Sequence, residues 1–104
     1  MNKHTGLSDF EINRRIAEMD TKNRYVYFEK EQTIFRKFNN GQTQKFNPCN
    51  YPADAMPIIL ENGISMVRVN NTWSARQFNN HCIEINGDNY YRIAMEVYLL
   101  MNGK

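Results

Sequence analysis

The sequence has no apolar run long enough to cross a membrane. A spanning helix needs about 18 to 20 consecutive apolar residues, and here such residues come in short stretches broken by polar ones. No membrane partner is expected. There are only two cysteines, Cys49 and Cys82, and two histidines, His4 and His81. Neither CxxC nor HxxxH spacing occurs, so zinc has no ligand set, and no metal or other cofactor is expected. His81 and Cys82 are adjacent, and on a strand they point to opposite faces. The opening MNKHTGLSDF lacks the apolar segment of a secretory leader, so free thiols in a reducing cytoplasm are expected. None of the five glycines belongs to a glycine-rich phosphate cradle. Repeats and low-complexity tracts are absent. The net charge is +2, too small by itself to imply nucleic acid.

What is present suits one domain. The chain has 104 residues, 41% hydrophobic and 23% charged. That composition folds rather than staying disordered, and the length supports one modest core. Residues 1–6 read as a disordered tip and 7–104 as the domain.

Ser8 followed by Glu11 makes a capping box, and Leu7 with Ile12 makes a hydrophobic staple. Ile12, Ile16 and Met19 then share a helix face. RYVYFEK and QTIFRKF are β-branched and aromatic and read as strands. Asn39-Asn40-Gly41 is a turn leading to TQKF. Later, Ile64–Val69 and Thr72–Phe78 flank Asn70-Asn71, a two-residue hairpin, and His81–Ile85 is a further strand. Asn86-Gly87-Asp88 reads as turn and cap before YYRIAMEVYLLM. In that closing helix Ile93, Val97 and Leu100 share a face, and Arg92 pairs with Glu96 on the exposed side. Its wide apolar stripe points to the core or to a homo-oligomer interface. The order α-β-β-α-β-β-β-α is α+β, with three helices packed on a mainly antiparallel sheet. Helices on both faces give an α-β-α sandwich, and helices on one face give two layers.

The stretch FNPCNYPADAMPIILENG raises the question of function. Asn50 reads as an N-cap, Pro52 falls in the first turn, and Asp54 suits the helix dipole. Pro57 then either bends a helix that stops at Asn62-Gly63 or, with Asp54 as the cap, falls in the first turn of a helix that starts later. A helix start offers free N–H groups and a positive dipole to an anion. Arg68, Arg76 and Arg92 supply charge, and Trp73 supplies a stacking face. The candidate ligand site is therefore Asn47, Cys49, Asn50, Asp54, Trp73, Arg76 and Arg92. Against it, Asp54 repels an anion, and capping alone accounts for the turn. Cys49 near a helix start, with His81, is the only pairing that suggests a nucleophile. Nothing in the sequence brings the two together, and Cys49 reads more simply as a small residue packed in a tight turn, so no catalytic residues are expected and the chain is read as a non-enzyme.

A second constellation lies between Lys22 and Lys45. Lys22, Arg24, Lys30, Arg36, Lys37 and Lys45 stand against only Glu29 and Glu31, with Tyr25, Tyr27, Phe28, Phe35 and Phe38 interleaved. Basic and aromatic strands can form a platform for single-stranded nucleic acid, for which Arg24, Lys30, Arg36 and Lys37 are the candidates. The bland alternative is an edge hairpin whose lysines discourage aggregation.

LSDFEIN, FNPCNYPADAMPII and YRIAMEVYLLM, with a lone Trp73 between them, occur together in this chain. In these stretches it resembles the NinX-type proteins of tailed phages of enteric bacteria, within the group described as the phage α-β-α sandwich domain. The resemblance runs from about Leu7 to Met101. Met56 stands where many relatives carry Trp, and the Asn80–Asn86 segment is shorter than usual. The resemblance implies an α-β-α sandwich and a phage accessory protein acting in the host cytoplasm. It carries over no catalytic residues, and marks Asn47, Cys49, Asn50 and Asp54 as positions of interest. The function expected is host takeover or counter-defence by capture of a small nucleotide-type ligand. The alternatives are inhibition of a host or phage protein, and nucleic-acid binding by residues 22–45.

Overall fold

The capping box closes the first helix as its spacing predicts. In the structure, a computed structural model that describes residues 3–104, helix α1 is Asp9–Met19. Ser8 Oγ accepts from the Glu11 amide, and the Ser8 amide donates to Glu11 Oε1, both at 3.1 Å. Strands β1 (Arg24–Phe28), β2 (Thr33–Lys37) and β3 (Thr43–Lys45) follow, then helix α2 (Pro52–Glu61). Strands β4 (Ser65–Val69), β5 (Thr72–Gln77) and β6 (Ile83–Gly87) lead into helix α3 (Tyr90–Met101). The fold is α+β, with three helices and wholly antiparallel strand pairing.

The strands divide into two three-stranded sheets, β1-β2-β3 and β4-β5-β6, where one sheet was expected. Each strand pairs with its neighbour in sequence, and α2 separates the two sets. The β3 edge is three exposed polar residues, Thr43, Gln44 and Lys45, and a short charged edge resists further pairing. Helix α3 packs on β5 and β6, α1 and α2 pack on α3, and α1 reaches β2. Ile12, Ile34, Met95, Val97 and Leu99 are almost completely buried where these elements meet, each contributing about 1.5–3 kcal/mol by removal from water. The apolar stripe of α3 is thus taken up largely within the chain.

Three local expectations change. Tyr51, not Asn50, occupies the N-cap of α2 and makes no side-chain cap bond; Pro52 is the first helical residue, and the helix runs on through Pro57. Strand β6 starts two residues later than His81 and absorbs Asn86-Gly87; Asn89 caps α3, its Oδ1 accepting from the Arg92 amide at 3.1 Å. Gly87 pairs with Trp73 there, and a Cβ on it would lie 2.8 Å from Ile93 Cγ2, so the close approach of α3 requires glycine. Finally, residues 3–6 are not a loose tip. His4 is fully buried and its ring bonds the Lys104 carbonyl at 3.2 Å. Met1 and Asn2 lie outside the described residues.

Candidate functional site

The Asn47–Asp54 stretch folds into a polar clamp between α1, α2 and α3. Asn13 Nδ2 donates to Asn47 Oδ1 at 2.8 Å, and Asn13 Oδ1 accepts from the Cys49 amide at 3.0 Å. Asn50 Nδ2 donates to Asn47 Oδ1 at 3.0 Å and to Asp9 Oδ2 at 3.1 Å. Asp54 Oδ2 accepts from the Asn47 amide at 2.9 Å. Arg92 then joins α3: it donates to Asp9 Oδ1 at 2.8 Å, Glu96 Oε2 at 2.6 Å, and the carbonyls of His4 and Leu7 at 2.9 and 2.8 Å. The Arg92 side chain is 14% exposed and that of Glu96 is 6%, so this ion pair is internal and not the surface pair its i,i+4 spacing suggests.

Five of the expected ligand residues are therefore drawn into one network, but their polar atoms are occupied by one another and by Asp9, Asn13, Glu96 and the His4 and Leu7 carbonyls. Burial pushes the Cys49 thiol far up, reinforced by the Asp9 charge, which is opposite to what a nucleophile needs. Its contacts run to Asn13 and Asp9, not to His81. The crevice touching Asn47 holds about 60 Å³, far below the about 300 Å³ of a small-molecule pocket. Beyond Asp54 lies a larger groove of about 450 Å³, rimmed by Asp20, Asp54 and Glu61 against Lys22 and Arg36. Three carboxylates against two cations is the wrong balance for a phosphate. The other two residues lie elsewhere. Trp73 sits against Tyr90 and Arg68. Arg76, three positions along the same strand, points to the opposite face, where it meets Ser74, Glu84 and Phe78.

The first sheet offers something different. Strand alternation and register place Tyr25, Tyr27, Ile34 and Arg36 on its inner face, where the first three pack on the core. Arg36 lies over the Phe46 ring at 5.5 Å, so it is not on the outer surface with Arg24 and Lys37. Lys30 is exposed in the turn between β1 and β2. The outer face carries Arg24, Val26 and Phe28 from β1, Thr33, Phe35 and Lys37 from β2, and Thr43 and Lys45 from β3. Cross-strand rows run Arg24–Lys37–Thr43, Val26–Phe35–Lys45 and Phe28–Thr33. No acidic residue stands on this face of the strands.

Val26, Phe28 and Phe35 do not pack on the core. They line, with Thr43, an open cleft of about 270 Å³ to which no other described element contributes. Phe28 is 43% exposed and meets Phe35 edge to face, centroids 5.7 Å apart at 86°. A solvent-facing aromatic cluster is a costly arrangement in a domain that has a core available, and such patches mark interaction sites. Lys45 was counted in the basic stretch but not among its four candidates, and Val26 and Thr43 were not singled out from the sequence. The signal was available in their parity: Arg24, Val26 and Phe28 alternate with the core tyrosines. Asp9, Asn13 and Glu96 of the clamp were also missed, although Asn13 sits beside Ile12 and Ile16 on the buried stripe of α1.

A family model described as Bacteriophage P22, NinX matches residues 3–102 of the chain. No curated protein and no solved structure matches it.

Proposed function

The chain belongs to the Bacteriophage P22 NinX family, and from that premise we propose that it is a non-catalytic accessory protein that binds nucleic acid on the outer face of β1–β3. The observation that carries this reading is the cation set Arg24, Lys37 and Lys45 on a strand face without a carboxylate. Phosphates attract such a face, and a second copy of the same face is repelled by it. Charge of one sign around the exposed rings also disfavours pairing of two copies through this patch. The role fits work in the infected host's cytoplasm, where capture of phage or host nucleic acid serves takeover or counter-defence. None of the clamp residues is assigned a binding role.

Fluorescence anisotropy with a labelled polynucleotide tests it. Three phosphate contacts on a single strand predict a slope of log affinity against log salt of about −2. The joint change Arg24→Gln, Lys37→Gln and Lys45→Gln removes binding, whereas Lys22→Gln, in the groove on the other side, changes it little. Absence of binding at low salt, or a triple variant that binds like the parent, refutes the proposal.

A further inference from the structure

Resting on that reading, we infer that the face takes unpaired bases and not only phosphates: Phe28 is the stacking platform for a base of a single strand, and Phe35 is the residue that positions its ring. Three features of the patch point this way. First, the aromatic ring is displayed at the surface instead of packing on the core, although Tyr25 and Tyr27 of the same strand do pack there. Phosphate binding has no use for it. Secondly, the two rings stand at 86° to each other. Rings at right angles cannot both lie parallel to one continuous stack of bases. A duplex, whose bases are stacked and paired, therefore cannot use the pair; a flexible strand can place one splayed base on the Phe28 face while the perpendicular Phe35 ring holds that ring in place.

Thirdly, the cations are placed to hold the backbone beside that ring. Lys45 shares the row of Val26 and Phe35, and Arg24 and Lys37 share the next. Rows on one face are about 6.8 Å apart along a strand. The charges thus begin one row from Phe28 and lead away from it. The chemical class recognised is a single-stranded polynucleotide, with DNA and RNA sharing the needed base face and phosphate. An acidic peptide offers the charge but no planar partner for the ring.

The test compares labelled oligothymidine, labelled oligouridine and a matched DNA duplex on the full chain. Single strands bind in preference to duplex. Phe28→Ala lowers single-strand affinity by about tenfold, the cost of one stacked base, and leaves weak duplex binding unchanged. Phe28→Trp retains affinity, and its added fluorescence is quenched when the strand binds, a signal that a structural role for the ring does not give. Phe28 is a surface residue, so circular dichroism of both variants matches the parent. Equal affinity for strand and duplex, unaffected by Phe28→Ala, overturns base stacking while leaving the phosphate reading standing. No binding to any of the three overturns both. Polyglutamate competing as well as oligothymidine overturns the base-directed inference by showing that charge alone decides. The difference between the oligothymidine and oligouridine arms tells DNA from RNA.

Discussion

Arg92→Met is the perturbation that most directly separates a structural clamp from a ligand site. Arg92 makes four charge-assisted bonds, to Asp9, Glu96 and the carbonyls of His4 and Leu7. Methionine keeps much of the stem's packing volume but removes the cation facing Glu96, whose side chain is 6% exposed. Removing one partner of a buried ion pair costs about 3–5 kcal/mol, because the remaining charge keeps its desolvation penalty. Against a total stability of about 5–15 kcal/mol for a small domain, that is a large share. At about 4 °C or more per kcal/mol for a chain of this size, Tm falls by at least about 12 °C. Urea denaturation followed by Trp73 fluorescence measures the free-energy loss, and thermal unfolding followed by far-ultraviolet circular dichroism measures the fall in Tm. Joint Arg92→Met and Glu96→Leu recovers most of the loss, since apolar replacement of both members of a buried pair is often neutral. Arg92→Lys keeps the charge but not the fork of donors, and falls between. A stability change below about 1 kcal/mol in Arg92→Met, in the range of a surface pair, refutes the clamp and returns Arg92 to the candidates for ligand binding.

Other consequences are simpler. Ser8→Ala removes the N-cap acceptor of α1, and should cost about 1 kcal/mol in chemical denaturation. Gly87→Ala places a Cβ 2.8 Å from Ile93 Cγ2; the overpacking costs about 1–3 kcal/mol, and a variant as stable as the parent would show that α3 can shift freely. Asp20 gives a pH signature. Burial raises its carboxyl pKa, but hydrogen bonds from Tyr25, Asn23 and the amides of Lys22 and Asn23 outweigh this and bring it from 3.8 down to about 2. The folded-state value is depressed, so its contribution is full above the unfolded value and is lost as pH falls through the window from 3.8 to about 2. Asp20→Asn flattens the acid limb of stability there, and Tyr25→Phe, which removes the donor at 2.5 Å, moves it to higher pH; an unchanged acid limb in both variants rules out this source.

The parts of the fold legible in the sequence are those set by neighbours in the chain. Ser8 and Glu11 meet across one helical turn, so the start of α1 follows from spacing. Asn70 takes a positive φ of 55° in the β4–β5 turn, as a two-residue hairpin demands. The family match likewise agrees with the resemblance carried by LSDFEIN, FNPCNYPADAMPII and YRIAMEVYLLM. Distant meetings were not legible. Arg92 and Asp9 are 83 residues apart, and an Arg–Glu pair at i,i+4 reads the same whether it faces water or the core. Asn50 carries a cap-type side chain, yet it turns to Asp9 and Asn47 because those acceptors lie closer to it in the folded turn. The division into two sheets depends on which edges stay unpaired, a property of the whole assembly. The opposition of Trp73 and Arg76, by contrast, was open to parity alone.

The clamp and the sheet face are connected through Asn47. It follows β3 by two residues, so the chain that leaves Lys45 on the outer face passes Phe46 into the core and then reaches Asn47. Phe46 packs on Tyr25 with ring centroids 4.9 Å apart, and its amide donates to the Ile34 carbonyl at 2.8 Å. Asn47 in turn is held by Asn13, Asn50 and Asp54. A three-stranded sheet of short strands is stable only when one face is packed against other elements. The inner face of β1–β3 meets that need with few residues, because Arg36 occupies a position that an apolar side chain would otherwise fill. The polar clamp supplies the remaining restraint. It leaves Arg24, Phe28, Phe35, Lys37 and Lys45 on the outer face, away from the core packing of the sheet. On this view the residues of the FNPCN stretch act at a distance: they hold the edge of the sheet in place, and the sheet presents the surface proposed to bind.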